Sequence, residues 1–582
     1  MAERLQAGDL EAVLADGPEL RDVRFRDVVI LDGLALTVRD PGWRTVPGQL
    51  VSRSITSTDS AVHVTQSWRF SLTSGTLVGN LDLRLEPGAL SVALRTDVDA
   101  TIEVNRAGVV LLHPLELVGR RVTLLGPAGR REDHFSDRVS PHQPFRDLRG
   151  MAYSPTDGLT VSLDLGDLPY ETEDHRNWSD AGWKTYTPPL AQPVPLRLNP
   201  GERSEQHVRV AVSSDRPSGQ RRRDQPPRVR VLPLVSDVLP ALGWGAGPLP
   251  SEVVPALPGG PSFVSVEVLA NEVGWERLRR ALAQAQARRL PLRVTVAAGA
   301  TEAALVAERL ARFASWITHV CLVERETHVS DEPLVRAAAT AFAGTPVVVG
   351  AGTRGYLAEL GRSAGGFELA QFVQLSISAE VHHDDDERIM DTTRAMPFVV
   401  SSARAAGGGL PVVVAPLTLA QRLSVHEPAD DRYAPWEPAV EPDRRGGEGL
   451  GEAWCLASVA GLVGADALSY FSLTPGHGLF DAAVAPTPAA TLLSELARHQ
   501  GRPVLRCDIS DPRTVSALAI RDEEAVELYL ANLTAEPVEV MVESPGTVGP
   551  AVLQPYQVRR LATTSVDTPE PGAENRHVRN DE

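Results

Sequence analysis

The chain has 582 residues, 43% of them hydrophobic, which is enough for several buried cores and sets an expectation of two to four domains. Its formal net charge of -18, from 75 acidic against 57 basic residues, repels phosphate backbones and anionic membrane surfaces and argues against a nucleic-acid partner. Cys321, Cys455 and Cys507 are the three cysteines, without CxxC spacing, so neither a disulfide framework nor a cysteine zinc site is indicated.

The opening residues carry acids where a secretory signal needs an apolar core, and no segment has the apolar length of a membrane span, so a cytoplasmic protein is expected. From about Arg21 to Ser213, short alternating or β-branched runs such as Val62-His-Val-Thr, Leu81-Asp-Leu-Arg-Leu and Val208-Arg-Val-Ala-Val are separated by Gly, Pro and Asp turns. That rhythm predicts an N-terminal β-sandwich over 1–216. A Pro- and Arg-rich stretch, Pro217 to Pro227, reads as a solvated connector, with Arg221 to Arg223 a less favoured docking patch.

Beyond it come eight apolar runs, beginning at Val229, Phe263, Leu292, His319, Pro346, Phe372, Pro411 and Ala465, most followed by a helix-like stretch. Strands apolar on both faces belong to parallel sheets covered by helices, and eight of them match a central (β/α)8 TIM-like barrel, assigned to 228–486. The rival, an open doubly wound sheet, lacks its Gly-rich phosphate loop. A helix near Ala490 and runs at Val515, Ala525 and Val538 predict a small C-terminal β domain over 487–564, ahead of a disordered tail at 565–582.

Barrel chemistry belongs at the strand exits, where Glu267, Asn271, Glu324, His328 and the run Glu380 to Asp386 fall, followed by an insertion from Gln421 to Gly451 containing His426, Trp436 and Asp443. Any one of these acids equally suits a helix cap. Adjacent ligands in His382-His-Asp-Asp-Asp386 converge poorly on one ion, so no metal and no cofactor is assigned.

The densest polar cluster, Tyr170 to Tyr186, lies ahead of the barrel. Trp178 and Trp183 offer an apolar wall for a sugar ring, with Glu173, Asn177 and Lys184 addressing hydroxyls or a carboxylate; the same residues also suit a domain interface.

The words Asn105-Arg-Ala-Gly108, Pro141-His-Gln-Pro-Phe145, Glu171-Thr-Glu-Asp-His-Arg-Asn-Trp-Ser-Asp180, Lys184-Thr-Tyr186 and Phe263-Val-Ser-Val-Glu-Val-Leu-Ala-Asn271 resemble the D-apionate lactonase family of bacterial D-apiose catabolism. The resemblance implies a hydrolase that opens D-apionolactone to D-apionate, downstream of a dehydrogenase, with a small sugar lactone as partner. Two family words are altered here: Ser472 stands where a Glu often closes the eighth strand, and Gly361 replaces an Asn.

Lactone opening needs an activated water, a donor to the carbonyl oxygen and an acid for the leaving alkoxide. Candidate proton-transfer residues are Glu173, Asp174 and His142, ahead of His382 and Glu324; candidate substrate-binding residues are Asn105, Arg106, Asn177, Trp178, Trp183 and Lys184. The absence of a Gly-x-Ser-x-Gly word argues against a serine elbow. The alternatives are a glycoside hydrolase, which needs two carboxylates roughly 5 to 9 Å apart, and a noncatalytic sugar-acid binding protein. Oligomeric state has no sequence signature here.

Overall fold

The computed structural model describes residues 3–202, 204–215, 225–250, 260–423, 425, 443–523, 525–544 and 547–563. The Arg221 to Arg223 patch and most of its connector, the insertion residues His426 and Trp436, and the expected tail lie outside the described residues.

The N-terminal domain is two large antiparallel sheets, of eight and nine strands, with a small two-stranded one made by Ile102–Val104 and Leu196–Leu198. Strands such as Val62–Leu72 alternate buried and solvent-facing residues, so each sheet turns one apolar face inward. Trp68, Phe70, Leu34, Leu36, Val109, Leu111, Phe135 and Trp183 pack in that core, each large apolar side chain contributing roughly 1.5–3 kcal/mol by leaving water. Val28–Arg39, Arg106–Pro114, Gly182–Tyr186 and Tyr170–Asp174 are successive neighbours in the eight-stranded sheet, which brings the predicted polar segment beside the Asn105-Arg106 word.

Eight parallel strands form the barrel, Ala241–Gly245, Phe263–Leu269, Leu292–Ala298, Ile317–Glu324, Val348–Gly352, Phe372–Ser378, Val412–Thr418 and Ala467–Pro475. The first and last close it, Ala241 opposite Ala467 and Leu242 opposite Leu468. Glycines make room for the rings that fill the interior: a Cβ at Gly243 would sit 2.3 Å from the Phe263 ring, and one at Gly350 would sit 2.3 Å from Phe372.

One strand departs from the expectation. Arg228–Val238, containing the run at Val229, is not in the barrel; it pairs antiparallel with Pro503–Ile509 and parallel with Val538–Ser544 in a seven-stranded C-terminal sheet. The span 228–486 therefore includes a strand of that sheet. Val229 and Val231 are buried, whereas Leu234, Val235 and Val238 are exposed, which is one-sided burial rather than the two-sided burial of a barrel strand. The first barrel strand, Ala-Leu-Gly-Trp-Gly, is too short and glycine-rich to register as an apolar run. Helix Pro488–Ala497, capped by the Thr487 hydroxyl and opened by Pro488, leads into the C-terminal sheet.

The domains are fastened by charge. Arg388, on the helix Asp386–Ala406 after the sixth strand, pairs with Glu19 at 2.9 Å, and Arg21 pairs with Asp385 at 3.0 Å. Arg513 of the C-terminal sheet domain reaches Asp32 at 2.7 Å and Glu116 at 3.0 Å, and Arg394 of the barrel meets the same Glu116 at 2.7 Å. Among the described residues no helix is long and apolar enough to cross a membrane.

Candidate functional site

Strands Tyr170–Asp174 and Gly182–Tyr186 run antiparallel, with Glu171 opposite Tyr186, Thr172 opposite Thr185, Glu173 opposite Lys184 and Asp174 opposite Trp183. The pleat sorts these residues onto two faces. One face joins the sandwich interior, where the Thr172 and Thr185 hydroxyls meet at 2.7 Å and His113 Nε2 lies 2.7 Å from Thr185. The other carries Glu171, Glu173, Lys184 and Tyr186, and is turned toward the barrel. Both strands are buried throughout, with Arg106 lying over Tyr186 and His175 against Lys184 on the polar face.

The connecting loop is held by an ion pair. Arg176 donates to both oxygens of Asp174, Nε at 2.9 Å and Nη2 at 2.7 Å, and also to the Ser136 carbonyl at 2.7 Å. Asp174 takes the Ser140 N–H at 3.0 Å, and Asn177 donates to the Ser140 and Asp174 carbonyls. These two candidates are thus engaged in holding the loop. Arg176 and Asp174 are both enclosed, so Arg176→Met strands a buried carboxylate and is expected to cost about 3–5 kcal/mol, seen as a lower urea midpoint; an unchanged midpoint would refute the structural role of the pair.

Two histidines just beyond the sixth barrel strand complete the cluster. His382 Nδ1 lies 2.7 Å from Asp180 Oδ2, and its ring stacks on His175 with centroids 4.3 Å apart and planes 19° apart. Trp178 presents to His382 edgewise at 5.4 Å. His175 Nε2 is 3.0 Å from Lys184 Nζ, which is also ion-paired with Glu173. Tyr186 donates to Glu171 at 2.8 Å and lies 3.2 Å from Glu173. His383 accepts a hydrogen bond from Arg388 at 2.9 Å.

Burial sets the protonation states. It raises the Glu173 carboxyl, but the Lys184 and Arg106 charges reverse this and bring it down to about 2. Lys184 is pushed down to about 8 by burial, against the pull of Glu173. Burial depresses His382 in spite of Asp180, and it drives His175 and His383 well below the ordinary histidine range, with nearby cations adding to the effect. The imidazoles are therefore neutral at pH 7. With its Nδ1–H given to Asp180, His382 is left with a basic Nε2.

His175, Asp180 and His382 offer ligand atoms all within 4.8 Å of one another, and are the set here that a divalent ion would use, although the Lys184 ammonium sets a positive charge beside it. A second such group, His499, Asp522 and Glu527, is already neutralised by Arg502 and Arg560.

The remaining candidates lie apart or face elsewhere. The His142 side chain is exposed, and only its carbonyl takes a hydrogen bond, from Ser140. Glu324 caps its own loop, accepting the Glu326 and Thr327 N–H groups at 2.5 and 2.9 Å. Trp183 is core, its ring 4.8 Å from Phe135 and under the Arg176 guanidinium. Asn105 donates to the Pro41 carbonyl. Ser472 donates to Thr474 at the eighth strand. Inside the barrel mouth, buried Glu267 takes Arg354 Nε at 2.8 Å and Arg422 Nη1 at 2.7 Å. Sequence reading did not single out His175, Asp180, Tyr186 or Arg39; for His175 and Asp180 the available signal was their place within the same polar segment.

Three family models match the chain: the D-apionate lactonase N-terminal domain over residues 1–215, its TIM barrel domain over 264–501, and its C-terminal immunoglobulin-like domain over 512–561. A D-apionate lactonase of Brucella anthropi is 27% identical, with 96% of each chain covered. Among solved structures, a GH30 endoxylanase from Clostridium papyrosolvens C71 is similar at 10% identity and TM-score 0.40, over 59% of this chain and all of that one. A β-arabinopyranosidase is similar at 10% identity and TM-score 0.32, over 96% of this chain and 98% of that one. With all three domains matched in order and a relative aligned along nearly the whole length, the chain belongs to the D-apionate lactonase family.

Proposed function

We propose that the protein is a hydrolase that opens D-apionolactone to D-apionate at the junction of the sandwich and the barrel. The observation that carries the reading is the 2.7 Å Asp180–His382 pair joining the two domains, set beside the Lys184–Glu173 pair. His382 Nε2 takes a proton from water as the water oxygen bonds to the lactone carbonyl carbon, and Asp180 steadies the imidazolium. The Lys184 ammonium stabilises the oxyanion that forms. When the ring C–O bond breaks, the imidazolium returns its proton to the alkoxide, and the new carboxylic acid ionises. Glu173, fully ionised, is the counter-ion that keeps Lys184 in place.

The test is acid release from D-apionolactone, followed with a pH indicator, beside a panel of aryl glycosides. Acid from the lactone and no chromophore from the glycosides is expected, at a rate unchanged after dialysis against EDTA. Chromophore release without lactone opening would favour a glycosidase, and binding without turnover a sugar-acid binding protein. A loss with EDTA that zinc restores would replace the proton-transfer scheme by a metal held on His175, Asp180 and His382.

A further inference from the structure

Several enclosed arginines in this protein hold carboxylates. Arg176 holds Asp174 at 2.7 Å, Arg422 holds Glu267 at 2.7 Å, and Arg394 holds Glu116 at 2.7 Å. Arg39 and Arg106 differ from these three. They stand directly opposite each other on neighbouring strands of the eight-stranded sheet, and Arg106 lies an even number of residues from Val110 and Leu112, the partners of Tyr186 and Lys184, so it shares their face. Like charges in that position repel. Yet among the described residues no carboxylate comes within 4.0 Å of either guanidinium, and Arg106 Nε, on a side chain nine-tenths or more buried, has no hydrogen-bond partner.

The surroundings hold Arg106 in place without a direct ion pair, its charge acting on Glu173 from a distance as Glu173, Asp180 and Asp40 act on Arg39. Its guanidinium lies 3.6 Å from the centre of the Tyr186 ring and 5.8 Å from that of Trp43. Trp43 itself is at φ 64°, a left-handed conformation costly for a bulky residue, in a turn whose carbonyl takes the Arg39 side chain at 3.2 Å. Two forked cations with a vacant N–H are suited to the planar geometry of a carboxylate. Tyr186, under Arg106, also touches Glu173, the partner of Lys184, so this subsite adjoins the proposed reaction centre.

We infer that Arg39 and Arg106 form an anion subsite for the carboxylate of a ring-opened sugar acid, so that the protein recognises the product of lactone opening and is held back by it. The identity of the acid rests on the lactonase reading; the carboxylate chemistry does not.

Calorimetric titration of the full chain tests this with two probes: the acid made by alkaline opening of D-apionolactone, and the alditol of the same carbon skeleton, which keeps the hydroxyls and lacks the charge. The acid is expected to bind at least about tenfold more tightly than the alditol, and Arg106→Gln and Arg39→Gln are each expected to weaken acid binding by about tenfold or more while alditol binding stays constant. Equal affinities of the wild-type protein for the two probes would overturn the inference without recourse to any variant. Preference for the acid in a protein that turns over no lactone would support the subsite and sink the lactonase reading; turnover with no such preference would do the reverse.

Discussion

Replacing His382 by alanine is expected to lower kcat for lactone opening by about 10²–10⁴-fold, the usual contribution of a positioned general base. The basis is the hydrogen-bond direction: Asp180 takes Nδ1–H at 2.7 Å, so Nε2 has to present its lone pair, and burial keeps the ring neutral. Since the depressed pKa lies below the ordinary value near 6.5, the base form persists through neutrality, and the acid limb of kcat/KM is expected below pH 6.5. Asp180→Asn keeps the shape but supplies a weaker acceptor, so its loss should be smaller and should fall on kcat more than on KM. An equal fall in activity and in urea midpoint for both variants would mean that the pair only fastens the domains. His382→Ala with unchanged turnover would end the proton-transfer scheme.

Alternation and turn residues made the sandwich legible, and two-sided apolar runs revealed seven of the eight barrel strands. The failure at Val229 has a specific cause. Arg228 and Arg230 alternate with Val229 and Val231, a period-two signal of one-sided burial, but the adjoining Leu-Pro-Leu-Val run masks it. Ala241–Gly245 escaped because two of its five residues are glycines, a composition that strand propensity penalises and that a closing barrel strand beside Phe263 requires. At the site, the polar segment itself was legible, and the proximity of His382 to it was not. A contact between Asp180 and His382 spans 202 positions and two domains, and nothing local to either residue encodes it. Chemistry also misled within the segment: Asp174 and Glu173 are adjacent acids in the chain, yet the pleat sends one to Arg176 and the loop, and the other to Lys184. Strand parity, applied to Glu171, Glu173, Lys184 and Tyr186 together, would have separated them.

Removing the Lys184 charge is the second change expected to have a large effect. Lys184→Met should lower kcat by about 10²–10³-fold, as loss of one oxyanion donor does. The more telling measurement is the alkaline limb of the wild-type profile. An ordinary lysine stays charged to about pH 10.4, whereas burial brings Lys184 down to about 8, so the ammonium is present below that pH and is lost above it. Activity should therefore fall above pH 8 by roughly tenfold per unit. Lys184→Arg, which cannot lose its proton in that range, should be slower throughout but flat across it. Glu173 raises the Lys184 pKa by charge and hydrogen bond. Glu173→Gln removes the charge and should move the limb to lower pH, the direction opposite to that of Lys184→Arg. A group that merely props the sheet would move neither limb. A wild-type profile level from pH 7 to 10 would show that the Lys184 ammonium takes no part in the reaction.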